Sequence, residues 1–76
     1  MVMVSQSDPR LYMRLASHVR EQIMSGELTA GDRLPSIGTL CREHATSRRT
    51  AGRAMRLLED EGWLVRVPGL GYFVRD

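Results

Sequence analysis

At 76 residues the chain makes one domain, and a domain this short buries only about 60% of the surface its unfolded chain exposes, which leaves little room for a catalytic cleft. With 42% hydrophobic and 26% charged residues it is globular rather than disordered, and no apolar run approaches the roughly 20 residues that cross a bilayer. The net charge of +2 is unevenly spread: residues 42–56 hold five arginines against Glu43 alone, a net of +4 on a body that sums to −2.

A basic segment on a mildly acidic body is an electrostatic footprint for phosphate. All eleven basic residues are Arg, whose planar fork can bond bidentately to a phosphate or a guanine edge. The Met-Val-Met-Val start lacks the basic and long apolar stretches of a secretory signal, so a cytoplasmic location is expected. Cys41 is the only cysteine, which rules out an internal disulfide. With His18 and His44 it falls short of a structural zinc set, so neither metal nor cofactor is expected. The two histidines read as surface or boundary residues, and Cys41, at helical spacing with Ile37 and Leu40, as a small buried thiol. The chain has no glycine-rich phosphate loop, no Ser/His/Asp arrangement and no paired carboxylates, so it is not expected to be an enzyme.

In chain order, residues 1–7 carry no periodic signal and read as a flexible N-terminal arm, with one domain over residues 8–76. Asp8 and Pro9 supply an N-cap and a first-turn proline for a helix whose apolar face is Tyr12, Leu15, Ala16, Val19 and Ile23. Gly26 is placed to end it. Residues 28–35 contain Ala30-Gly31-Asp32, a turn signal, and Leu34-Pro35 disfavours helix before Ser36. Ser36 then caps a short helix over residues 36–44 with Ile37, Leu40 and Cys41 inward.

Only Ala45 and Thr46 separate that helix from the next cap, Ser47. In the third helix Ala51, Ala54, Met55 and Leu58 fall at i, i+3, i+4 and i+7 and form one apolar stripe, while Arg49, Arg53 and Arg56 point the opposite way. Two helices joined by so short a turn, the second bearing exposed arginines, fit a helix-turn-helix whose second helix enters the major groove. The acidic cluster Glu59, Asp60 and Glu61 sits at the far end of this helix, which favours insertion by its N-terminal half. Gly62 closes it.

Beyond Gly62 the pattern becomes extended: Trp63-Leu64-Val65-Arg66-Val67 and Tyr72-Phe73-Val74 flank Pro68-Gly69-Leu70-Gly71, a hairpin. The fold class is therefore mainly α with a small β-hairpin, a winged helix-turn-helix of three helices plus wing. Glycines at the wing tip let backbone approach a groove or a phosphate, and they equally satisfy a tight turn.

These residues resemble the DNA-binding domain of the GntR family of bacterial transcription regulators. The matching pieces are Leu11-Tyr12, Ile23-Met24-Ser25-Gly26-Glu27-Leu28, Gly31-Asp32-Arg33-Leu34-Pro35-Ser36, Ser47-Arg48-Arg49-Thr50, Ala54-Met55, Leu58-Glu59, Glu61-Gly62-Trp63 and Pro68-Gly69-Leu70-Gly71-Tyr72-Phe73-Val74. They span about residues 11 to 74 in order. The resemblance implies a winged helix that binds operator DNA, usually as a homodimer on an inverted repeat, and most often represses transcription. It carries DNA contacts to Arg48 and Thr50, to Ser36, and to Gly69 and Gly71.

The chain departs from the family pattern in three places. Ile37 and Gly38 stand where an acidic residue and a DNA-contacting Arg are usual, Gly52 replaces another arginine, and Leu70 replaces a basic wing residue. Family members also continue into a larger effector-binding domain, so no small-molecule effector site is expected on these residues. The expected interface has Arg48, Arg49, Thr50 and Arg53 at the major groove, Ser36 and Arg56 on phosphate, and Arg66 with Gly69 and Gly71 along the backbone or minor groove. Two other uses of the same face stay open: docking of an acidic protein, and sequence-independent architectural or plasmid-maintenance binding of DNA.

Overall fold

A computed structural model describes residues 9–76; the expected arm and the Asp8 cap lie outside the described residues. The elements run α1 (Pro9–Met24), α2 (Ile37–His44), α3 (Arg48–Asp60), β1 (Leu64–Val67) and β2 (Gly71–Val74). The core is where the three helices and the hairpin meet: Leu15, Ala16 and Val19 of α1, Leu34, Leu40 of α2, Ala51, Ala54, Met55 and Leu58 of α3, and Leu64 and Val74 of the strands. All four residues of the stripe read from the third helix are fully buried. At about 1.5–3 kcal/mol for each large apolar side chain removed from water, this seam carries much of the stability.

Helices α2 and α3 start and stop on identifiable local devices. Ser36 caps α2 by accepting the Thr39 N–H at 3.1 Å, and Ser47 caps α3 by accepting the Thr50 N–H at 3.1 Å. At the end of α3 the Gly62 N–H reaches Glu59 O at 3.0 Å and the Trp63 N–H reaches Leu58 O at 2.9 Å. That pair of bonds is a Schellman closure, and it requires the left-handed φ of +89° that Gly62 adopts. The turn between α2 and α3 has no glycine: Ala45 takes the left-handed conformation, φ 50° and ψ 51°, with its N–H on Cys41 O.

The wing is an antiparallel pair in which Leu64 faces Val74, Val65 faces Phe73, Arg66 faces Tyr72 and Val67 faces Gly71. Its turn puts Pro68 and Gly69 at the central positions, with the Leu70 N–H on Val67 O at 2.9 Å and φ +81° at Gly69. Proline followed by a glycine of positive φ is a type II turn. Gly71, expected in the link, is the first residue of β2.

The stretch at 28–35 does more than turn. The Leu34 N–H donates to Tyr72 O at 2.9 Å, the Val74 N–H to Asp32 O at 2.8 Å and the Gly31 N–H to Val74 O at 2.9 Å, and Arg33 bridges Phe73 antiparallel. Residues 31–34 thus lie as a third, short strand along the free edge of β2. They satisfy backbone groups that the two-stranded hairpin leaves open. Cys41, expected buried, is half-buried and free, packed against the edge of the core. His18 and His44 are exposed, with their rings edge to face at a centroid distance of 5.3 Å.

Candidate nucleic-acid interface

The buried stripe of α3 fixes which of its residues look outward. At about 100° per residue, Arg49 and Arg56 fall opposite the stripe of Ala51, Ala54, Met55 and Leu58, while Gly52, Glu59 and Arg48 run round from them to the flank beside Met55. These five residues line one cleft together with Ile37 of α2 and Arg66 and Tyr72 of the wing. Four arginines from two elements therefore surround a single concavity. Gly52 contributes no side chain, so the backbone of α3 is open at the centre of that face.

Arg66 reaches the cleft because β1 and β2 pair in register opposite Tyr72, which places Arg66 on the strand face that looks back at α3. The wing tip continues the surface: Gly69, Leu70 and Gly71 border a second depression with Arg33, Pro35, Ser36, Ile37 and Arg66. Leu70 is 52% exposed at its tip. Ser36 is exposed; its Oγ donates to Thr39 Oγ1 at 3.0 Å while accepting the Thr39 N–H.

Two expected contacts stand elsewhere. Thr50 is 5% exposed, and its Oγ1 accepts from Ser47 Oγ at 3.1 Å. It falls on the flank of α3 nearest the core, so its side chain belongs to the helix start and not to the exposed basic face. Arg53 is exposed but leans to the other flank, where its Cζ sits 4.2 Å from the centroid of the Tyr12 ring of α1. It does not line the cleft with Arg48, Arg49 and Arg56. Tyr12, read from the sequence as an apolar core residue, is half-buried and carries this cation on its face.

Three features escaped the sequence reading. Glu59 lines the arginine cleft, although its acidic cluster stands at the far end of α3 in sequence. Glu61, of the same cluster, is instead held by Arg20 of α1, whose Nη2 and Nε donate to one carboxylate oxygen at 2.8 and 3.3 Å. Arg33 stands against the wing, its Nε 3.9 Å from where a Cβ on Gly71 would lie. The Arg33 signal was present in the Gly31-Asp32-Arg33 run, but only the pairing of residues 31–34 with β2 aims it at the wing.

Three helices, a short αL turn and a wing that extends the arginine face define a winged helix-turn-helix. The profile of the bacterial regulatory proteins, gntR family, matches residues 11–74, and the chain belongs to that family. It is 42% identical over 65 residues to the histidine utilization repressor of Klebsiella aerogenes, covering 86% of this chain and 27% of that protein. Among solved structures it resembles YtrA from Sulfolobus acidocaldarius, a GntR-family transcription factor, with a TM-score of 0.79 at 37% identity over 86% of this chain and 68% of that one. It also resembles the AraR DNA-binding domain solved in complex with operator ORR3, with a TM-score of 0.81 at 25% identity over 96% of this chain and 82% of that one. The chain thus spans little more than a quarter of the length of the curated repressor it matches. Among the described residues no helix is long and apolar enough to cross a membrane, and no group of three or more His, Cys, Asp or Glu could hold a metal ion.

Proposed function

We propose that these residues form the operator-binding domain of a transcriptional repressor that reads double-stranded DNA sequence-specifically. The observation that carries the reading is the single cleft lined by Arg48, Arg49 and Arg56 of α3 and Arg66 of the wing, backed by a fully buried opposite face. The N-terminal half of α3 enters the major groove with Arg48 and Arg49, where Arg49 meets base edges and Arg56 meets phosphate. Arg66, Gly69 and Gly71 follow the backbone or minor groove, and Ser36 meets phosphate at the cap of α2. Thr50 acts through the helix start and Arg53 chiefly through Tyr12. The operator complex of the AraR domain, which shares this fold, supports the reading.

The role is one of binding and not of catalysis, and a regulator of chromosomal DNA works in the cytoplasm. Two copies on an inverted repeat are expected. Selecting duplexes from a random pool and weighing the complex tests the proposal. Enrichment of an inverted repeat bound by two protomers is the expected result. Equal affinity for all duplexes would mean an architectural binder, and no association at low salt would mean that the arginine face serves an acidic protein.

A further inference from the structure

Position 38 in α2 carries no side chain, and two guanidinium groups from different helices converge on the space it leaves. A Cβ placed on Gly38 would stand 3.5 Å from Nη2 of Arg48 and 3.8 Å from Nη1 of Arg42, with Ser36 Oγ at 3.9 Å. The two cations therefore approach one point, their nearest nitrogens no further apart than those two distances together. Like charges this close repel, and water screens them only in part. Among the described residues no carboxylate lies within ion-pair distance of either one. Glu43, next to Arg42 in sequence, instead borders a depression on the α1 side with His18 and Gln22.

Arg42 is also held in this pose. Its Nη2 donates to Thr39 Oγ1 at 3.1 Å, and the same oxygen accepts from Ser36 Oγ at 3.0 Å. Arg48 extends from the first turn of α3, whose backbone the Ser47 cap fixes. One held fork and a second converging on it over a helix position without a side chain are arranged to take an anion that bridges them.

We infer that Arg42 and Arg48, converging over Gly38, clamp one backbone phosphate of the bound duplex, with Arg42 as a phosphate contact that sets register and not sequence. This rests on the operator-binding reading above and adds a second anchor, on α2, beside the cleft. Each phosphate neutralised contributes about 0.9 to the slope of log K against log salt.

The test measures Arg42→Ala, Gly38→Asp and Arg49→Ala against the unaltered protein, on a selected operator and on random duplex, across a salt series, with thermal unfolding alongside. Arg42→Ala should weaken both duplexes by a similar factor, roughly fivefold to tenfold at 0.1 M salt, and lower the slope by about 0.9. Gly38→Asp should put a carboxylate between the two guanidinium groups, weakening DNA binding further while leaving the unfolding temperature unchanged or raised. Weaker binding without a lower unfolding temperature excludes a folding defect. If Arg42→Ala leaves the slope unchanged while Arg49→Ala weakens binding to the operator, the clamp is wrong and the operator reading stands. A loss confined to the operator would make Arg42 a base reader and overturn the clamp. If the unaltered protein binds neither duplex, both fall.

Discussion

Arg53 of α3 rests on Tyr12 of α1, its guanidinium carbon 4.2 Å from the ring centroid, so one member of the basic face ties two helices together. A cation over an aromatic ring at a partly exposed site is worth about 0.5–1 kcal/mol. Arg53→Ala should lower the melting temperature by about 4 °C and weaken duplex binding less than Arg49→Ala does. Parallel thermal scans and titrations check this. An Arg53→Ala protein that melts normally but binds as poorly as Arg49→Ala would return Arg53 to the DNA face.

Arg49 and Arg56 lie two turns apart on the cleft side of α3. Arg49→Ala should cost about 1–3 kcal/mol on the operator and much less on random duplex, because a base-edge contact carries sequence information. Arg56→Ala should weaken both alike and flatten the salt dependence by about 0.9. Swapped behaviour would mean that the helix enters the groove in another register.

Ser47 serves α3 twice, accepting the Thr50 N–H and donating to the buried Thr50 hydroxyl. Ser47→Ala should destabilise the fold by roughly 1–2 kcal/mol, read by urea denaturation with an unchanged m-value. Ser47→Asp, which can still cap, should recover most of that loss. A Ser47→Ala protein as stable as the parent would show that the cap is dispensable.

Ala45 holds a left-handed conformation, φ 50°, in the turn between α2 and α3. A Cβ in this region costs about 1–2 kcal/mol, partly offset by the smaller entropy that alanine loses on folding. Ala45→Gly should therefore raise stability by roughly 0.5–1 kcal/mol with DNA affinity unchanged. A destabilised glycine variant would show that the turn carries no strain.

Glu59 borders the same cleft as Arg48, Arg49, Arg56 and Arg66. A carboxylate facing phosphate opposes binding, so Glu59→Gln should tighten both operator and random duplex by roughly twofold to threefold at 0.1 M salt, the gain fading as salt rises. Unchanged or weaker binding would place Glu59 outside the field of the DNA.

The local devices were legible in the residues. The stripe of Ala51, Ala54, Met55 and Leu58, the caps at Ser36 and Ser47, the Gly62 stop and the Pro68-Gly69 turn are each set by neighbours within one or two turns of chain. Periodicity and turn chemistry report such short-range constraints directly. Outward-facing residues were less legible: Arg49, Arg53 and Arg56 share one hydrophobic pattern, but only Arg53 finds an aromatic ring.

By itself, then, the sequence determined which segments are helix or strand, which side of each is sealed, and that arginine crowds the exposed side of α3. The tertiary structure alone decided that residues 31–34 pair with β2 and bring Arg33 to the wing, that Glu59 shares a cleft with Arg66, and that Arg53 rests on Tyr12. The reason is range. A helical or strand repeat records forces between residues a few positions apart, whereas the partners of Arg53 and Phe73 lie about 40 residues away, and their meeting depends on how the buried faces fit together.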